Sequence, residues 1–298
     1  MKYHSIFHAQ LFAGKHILVT GGGSGIGRCI AHELAALGAT ISLLGRKKEK
    51  LETVATEIQQ DTGKLPLIYC CDIREEAAVQ EQVKLMIEQQ GPLHGLMNNA
   101  GGQYPSPLEK ISAKGFDAVV RTNLLGGFIV AREVFTQSMS IHGGGNIVNM
   151  LADMHNGMPT MGHSGAARAG MENFTKTAAI EWAHANVRVN AVAPGWIMSS
   201  GMDTYDDAFK SIIKGFKQAS PMNRLGNEAE VSAAVCFLLS PGAAFINGVT
   251  LRIDGGASLG NRAFPLHETT QPSTAFEGFH RAVLPTIFAN EDKKSQTN

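Results

Sequence analysis

From Thr20 to Gly27 the chain reads Thr-Gly-Gly-Gly-Ser-Gly-Ile-Gly, directly after a β-type apolar run and directly before an amphipathic one. In that context Gly21, Gly23, Gly25 and Gly27 let backbone come close to a pyrophosphate. With Ser24 and Ile26 they open a helix, whose free N–H groups and positive dipole end favour anions. The chemistry prepared here is dinucleotide binding. The next apolar run ends in Leu43-Leu44-Gly45-Arg46-Lys47-Lys48. An acidic residue at that tip would grip the ribose hydroxyls of NAD, whereas a basic cluster neutralises a 2′-phosphate, so the expected cofactor is NADP(H), read by Arg46 and Lys47. The bland alternative for Lys47 and Lys48 is a solvated helix start. No metal chemistry is expected: the histidines contain no HExxH pair, and Cys29, Cys70, Cys71 and Cys236 lack ligand spacing and read as reduced thiols.

These groups need a scaffold, and the chain supplies one by alternating short β-branched or apolar runs with longer amphipathic ones, the pattern of βα units around a parallel sheet. Strands are expected at 16–20, 40–44, 65–71, 95–100, 146–151, 187–192 and 249–253. After the glycine turn, Ile26, Ile30, Leu34 and Leu37 make one apolar helical stripe that Gly38 can end; further helices are expected over 47–60, 75–90, 116–142 and 163–184. Residues 196–220, with Met198, Met202, Phe209, Ile212, Ile213 and Phe216, read as a mobile amphipathic cap and not as sheet. A single unit over 1–257 is expected, followed by an extension over 258–298 whose last residues, 290–298, fray.

Composition narrows the function. The 298 residues carry 26 lysines and arginines against 26 aspartates and glutamates, so no global field attracts nucleic acid or anionic lipid. Hydrophobic residues at 44% and charged residues at 17% fit a packed core and not a disordered chain. No apolar run approaches the ~18 to 20 residues of a membrane span, and residues 1–12 lack the apolar core of a signal peptide, so a cytoplasmic protein is expected.

Three more fragments join the glycine loop: Asn98-Asn99-Ala100-Gly101, Asn190-Ala191-Val192-Ala193-Pro194-Gly195 and Asp254-Gly255-Gly256. Together they resemble the short-chain dehydrogenase/reductase family from about Phe12 to Gly256. The resemblance implies an α/β fold of Rossmann type, a doubly wound seven-stranded parallel sheet with helices on both faces. It also implies a nicotinamide cofactor across the carboxyl ends of the strands, and a homotetramer or homodimer. By the same resemblance Asp72 accepts from the adenine amino group with Ile73 against the ring, and Asn99, Ala100, Gly101, Pro194, Gly195, Ile197 and Ser199 complete the cofactor site.

In the family a serine on the fifth strand, a tyrosine and a lysine four residues later on the next helix, and an asparagine one helix earlier carry proton transfer. Asn123, in Thr122-Asn123-Leu124, matches the asparagine, and the rest departs. The family's spacing, counted back from Pro194, puts Arg168 in the lysine position and Ser164 in the tyrosine position, while the serine position falls in Leu151-Ala152-Asp153. A competing register on Lys176 moves the basic group roughly 12 Å along the helix, out of reach of the ribose.

The stretch His163-Ser164-Gly165-Ala166-Ala167-Arg168-Ala169-Gly170, with Gly101-Gly102-Gln103-Tyr104 and Cys236-Phe237-Leu238-Leu239-Ser240-Pro241, resembles peroxisomal trans-2-enoyl-CoA reductases and 2,4-dienoyl-CoA reductases. That resemblance implies hydride addition to a carbon conjugated with a thioester, whose enolate needs hydrogen-bond donors. Asn123 and Ser164 fill that role, and Arg168 keeps the cationic ribose contact. The proton donor stays open. Asp153 has a spacing to Ser164 like that of the tyrosine in mitochondrial dienoyl-CoA reductases, with Leu151, Met154 and Met158 to raise its pKa; His155, His163 or a water chain are the alternatives. Each of these side chains also has a plain role in fixing a loop. Lys210, Lys214 and Lys217 recur at i, i+4 and i+7, a face that is either solvated or meets CoA phosphates. The reading is an NADPH-dependent reductase of an enoyl-CoA-type acyl thioester. Its rivals are a carbonyl or alcohol oxidoreductase with an unusual acid, and a cofactor-binding protein without turnover.

Overall fold

The computed structural model describes residues 2–259 and 272–288, so the expected frayed tail lies outside the described residues. In chain order the strands are β1 (His16–Thr20), β2 (Thr40–Gly45), β3 (Leu67–Cys70), β4 (Gly95–Asn98), β5 (Gly145–Met150), β6 (Val187–Pro194), β7 (Ile197–Met198), β8 (Gly226–Asn227) and β9 (Thr250–Ile253). Seven of them form one parallel sheet in the order β3-β2-β1-β4-β5-β6-β9. The order reverses between β1 and β4, and the crevice beyond their carboxyl ends is the switch point at which such sheets take ligands.

Helices cover both faces. Along β1 the pleat sends Ile17 and Val19 to one face and Leu18 to the other. The first face is packed by α1 (Gly25–Ala36), α2 (Lys48–Thr62) and α8 (Glu228–Leu239); the second by α3 (Glu76–Gln90), α5 (Gly127–Val134) and α6 (Gly162–Glu181). Ile30 and Leu34 of the expected stripe are fully buried.

The differences from the expected elements have local causes. β3 starts at Leu67 and not at residue 65, because Pro66 has no N–H to extend the ladder. β4 stops at Asn98, because the N–H groups of Asn99 and Ala100 both donate to Thr20 Oγ1, at 2.9 Å. The helix expected over 116–142 is broken into α4 (Ala113–Val120), a π turn at Arg121–Gly126, α5, and a second π turn at Phe135–Met139. Asn123 rides on the first π turn, a local widening often found at functional sites.

The cap also departs from its expected form. Ile197–Met198 pairs in parallel with Gly226–Asn227, so the segment does contain sheet. Its helix, α7, spans only Asp207–Ile213, so Lys210, Lys214 and Lys217 do not share one helical face; Lys210 instead pairs with Asp207 at 3.6 Å. Met202, Phe209 and Ile213 turn inward against Met161, Leu225 and Phe288.

Residues 272–288 form a strap. Asn227 Nδ2 donates to Phe276 O, His4 N to Gly278 O, His280 and Arg281 pair with Asp61 of α2, and Thr286 Oγ1 donates to Asp203 of the cap. No helix among the described residues is long and apolar enough to cross a membrane.

Candidate active site

The cofactor end is shaped by backbone. Gly21 has φ +65°, and a Cβ there would lie 2.9 Å from Asn99 Nδ2 and 3.0 Å from Ala100 Cα. A Cβ on Gly27 would lie 2.4 Å from Gly21 O, closer than any side chain permits. Ser24 makes no side-chain capping bond at α1, which leaves the first-turn N–H groups for an anion. Asn99 Nδ2 donates to Thr20 O at 3.0 Å and so ties the loop after β4 to the end of β1. Gly23 lies against Lys50, and Ile26 packs on the core beneath. These residues fit a dinucleotide pyrophosphate.

A carboxylate stands beside that cradle. A Cβ on Gly25 would lie 3.8 Å from Glu228 Oε1 and 3.9 Å from Ser199 Oγ. Glu228 is 6% exposed, and burial pushes its carboxyl up to about 7, with Arg28 pulling the other way. At the adenosine rim, Arg46 and Lys47 are exposed beyond β2. Asp72 is held by Arg74, whose Nε and Nη2 donate at 3.0 and 2.6 Å. Those bonds, with Arg46 adding less, keep the Asp72 carboxyl below its usual range. Ile73 is 4% exposed and packs toward Gly126. On the far wall, Pro194 ends β6, Gly195 N donates to Ile253 O at 3.0 Å, and Ile197 is 7% exposed in the core.

The reaction end is shaped by side chains. Arg168 is 8% exposed; its Nη1 donates to Met150 O and its Nε has no partner among the described residues. Burial pushes the guanidinium down to about 10. A Cβ on Gly101 would lie 2.6 Å from Arg168 Nη2 and 2.8 Å from Asn123 Oδ1, so these residues meet. Asn123 clamps Gly102, accepting from its N–H at 2.8 Å and donating to its carbonyl at 2.9 Å. Ser164 is fully buried, and its Oγ donates to Gln103 Oε1 at 2.6 Å; Gln103 Nε2 in turn donates to Tyr205 Oη at 3.3 Å. His163 is fully buried, with Nδ1 accepting from Ser164 N–H, Nε2 unpartnered among the described residues, and the Tyr104 ring edge-on at 4.5 Å.

Asp153 stands apart. Its N–H donates to Pro194 O, and its carboxyl is raised by burial and then by the Asp254 carboxylate. It faces a cavity of about 830 Å³ with Trp196, Phe216, Arg252 and Asp254, a cavity that Asn123, Ser164 and Arg168 do not line. Lys176, by contrast with Arg168, is 55% exposed and paired with Glu172 at 3.4 Å. Sequence reasoning missed Gln103 as a partner of Ser164, and Tyr205, Arg74 and Glu228 altogether. Of these only Glu228 had a nearby signal, the Asn227 and Glu230 capping box that opens α8.

The arrangement is a backbone cradle for a dinucleotide beside a buried cation and a hydrogen-bonded hydroxyl. The family model described as enoyl-(acyl carrier protein) reductase matches residues 21–258. A solved structure titled citronellol catabolism dehydrogenase, from Pseudomonas aeruginosa PAO1, is 61% identical and superposes with a TM-score of 0.77 over 86% of this chain and all of that one. The peroxisomal 2,4-dienoyl-CoA reductase of Mus musculus is 33% identical over 86% of this chain and 88% of its own. Levodione reductase of Leifsonia aquatica is 34% identical over 83% and 95%. With that match over most of its length and the same switch-point cradle, the chain belongs to the short-chain dehydrogenase/reductase family and is an oxidoreductase that binds a nicotinamide cofactor.

Proposed function

We propose that the protein is an NADPH-dependent reductase of the carbon–carbon double bond in an enoyl-CoA-type thioester. The observation that carries this is the pairing on α6 of a buried serine with a buried arginine that has no carboxylate partner among the described residues. When bound, the nicotinamide supplies hydride. Arg168 holds the ribose and places positive charge where a thioester oxygen becomes an enolate, an arrangement that favours charge developing in the transition state. Ser164 offers its hydroxyl to that oxygen once its bond to Gln103 opens, and Asn123 fixes Gly102 at the floor. A ketone, in contrast, needs an acid aimed at its oxygen, and α6 carries no phenol at that place. Met158, Met161, Met198 and Met202 belong to the apolar cluster of the cap, whose flexible side chains suit repacking around an acyl chain. The preference for NADPH rests on Arg46 and Lys47, with Arg74 close by. Phe116, Leu125 and Ile180, exposed on and around α4 and α6, support a homodimer or homotetramer.

A second reading is favoured by the 61% identical structure, whose title speaks of citronellol catabolism: oxidoreduction of a branched terpenoid alcohol or aldehyde. NADPH oxidation with crotonyl-CoA, a dienoyl-CoA, a ketone panel and terpenoid aldehydes separates the two. Turnover confined to thioesters supports the first and turnover confined to carbonyls replaces it. Tight NADPH binding without turnover leaves a binding protein.

A further inference from the structure

Resting on that reductase reading, we propose that the proton added to the substrate comes from Tyr205 of the cap, a phenol delivered from a different element than the α6 position that serine now occupies. The hydrogen-bond directions carry the assignment. Ser164 is itself fully buried, and its one hydroxyl hydrogen is spent on the half-buried Gln103 Oε1. Gln103 passes its own donor to Tyr205 Oη, which leaves the phenolic hydrogen as the one hydroxyl hydrogen in this chain of three groups without an acceptor among the described residues. Position agrees. Tyr205 is half-buried, stacks edge-on to Phe209 at 5.1 Å, and joins the apolar cluster of the cap to the loop that Asn123 clamps.

The other candidate donors are shut in or elsewhere. His163 uses Nδ1 as an acceptor, and its Nε2 is enclosed with the rest of the ring. Asp153 faces the cavity beside Trp196 and Phe216, which Asn123, Ser164, Arg168 and Tyr205 do not line, and no hydrogen bond joins it to Asn123, Ser164 or Arg168 among the described residues.

The step balances as follows. Hydride supplied by the reduced nicotinamide adds to the β-carbon, and the π pair becomes that of the thioester enolate. Tyr205 gives its phenolic proton to the α-carbon, its O–H bond breaking as the C–H bond forms, and the phenolate takes a proton from water at its exposed edge. One NADPH and one solvent proton are consumed per double bond.

The test is Tyr205→Phe, which removes a single oxygen. With an enoyl thioester kcat should fall by about 10²-fold or more, while NADPH affinity by fluorescence titration stays within a factor of about two. A nitroalkene gives a second measurement, because its hydride adduct is a stable nitronate that needs no acid: the variant should oxidise NADPH with it at the wild-type rate. Turning over the Gln103 amide would reverse the chain of bonds and put the free hydrogen on Ser164. Ser164→Ala should therefore cost less than Tyr205→Phe, and the opposite ranking overturns the assignment, as does thioester turnover of Tyr205→Phe within threefold of wild type. Where the wild type reduces only a carbonyl, the thioester reading falls and the same two variants on that carbonyl decide Tyr205. Silence with every acceptor overturns both.

Discussion

The two ends of the crevice are made of different material. The cofactor end is backbone: one eight-residue stretch that begins on the last residue of β1, in which a methyl group on Gly27 would collide with Gly21 O at 2.4 Å. The reaction end is side chain. It gathers Gly101 and Gln103 from the loop after β4, Asn123 from a π turn, Ser164 and Arg168 from α6, and Tyr205 from the cap. A backbone site tolerates little change, because steric fit leaves only glycine. A side-chain site exchanges its groups freely, and the proposed register draws on that freedom by setting Ser164 and Arg168 in the places of the family's tyrosine and lysine.

The sharpest way to break this comparison is at Arg168. Arg168→Met should lower kcat/KM by about 10²-fold or more and weaken NADPH as well, since the group serves both ends. Lys176→Met should stay within a factor of about three. The reverse ranking in steady-state kinetics would move the site two helical turns and dissolve the contrast.

Next in size is Glu228, a charge set inside the backbone cradle. Its carboxyl is raised on folding from 4.5 to about 7. A group raised in this way gives its full stabilisation below the unfolded value and loses it as pH climbs through the folded one, so stability should fall between about pH 4.5 and 7. Glu228→Gln should flatten that fall, a difference of roughly 3 kcal/mol at most in melts across the window, and should tighten NADPH at about pH 8. An unchanged fall would mean that the cradle is indifferent to charge.

The smallest effect is expected at the rim. Arg46→Asp should reverse the ratio of NADPH to NADH affinity, through loss of one charge-assisted contact worth roughly 1.5 to 3 kcal/mol and gain of repulsion. Equal affinity of the wild type for both cofactors by titration would remove the argument for NADP(H).

Legibility in the sequence follows the same division. The cradle was readable because its residues are contiguous and lie between a strand and a helix. Strand ends were readable only in part: Pro66 was there to be used, but the diversion of Asn99 and Ala100 to Thr20 Oγ1 depends on residues about 80 positions apart. α8 escaped because Glu-Ala-Glu-Val-Ser-Ala-Ala-Val-Cys-Phe-Leu-Leu is apolar around most of its girth, leaving Asn227 and Glu230 as its one punctuation. Asn123 was found, but not its clamp on Gly102, since a π turn shifts which way a side chain points without changing composition. Ser164 and Gln103 lie 61 residues apart, and no spacing rule joins them.

The strap gives the molecule a leash. Arg28, in the first turn of the cradle helix, lies over the Phe279 ring at 5.1 Å and donates to Arg281 O, while Arg281 is anchored to Asp61. Five residues later Thr286 is bound to Asp203, and Phe288 plugs the cap. Five residues of extended chain reach about 17 Å at most, and that length is the upper limit on how far apart the two anchors can stand. Any wider separation must break either the Thr286 bonds to Asp203 or the hold of Arg281 on Asp61 and Arg28. The cap and the first turn of the cradle helix are thus moored to one short rope.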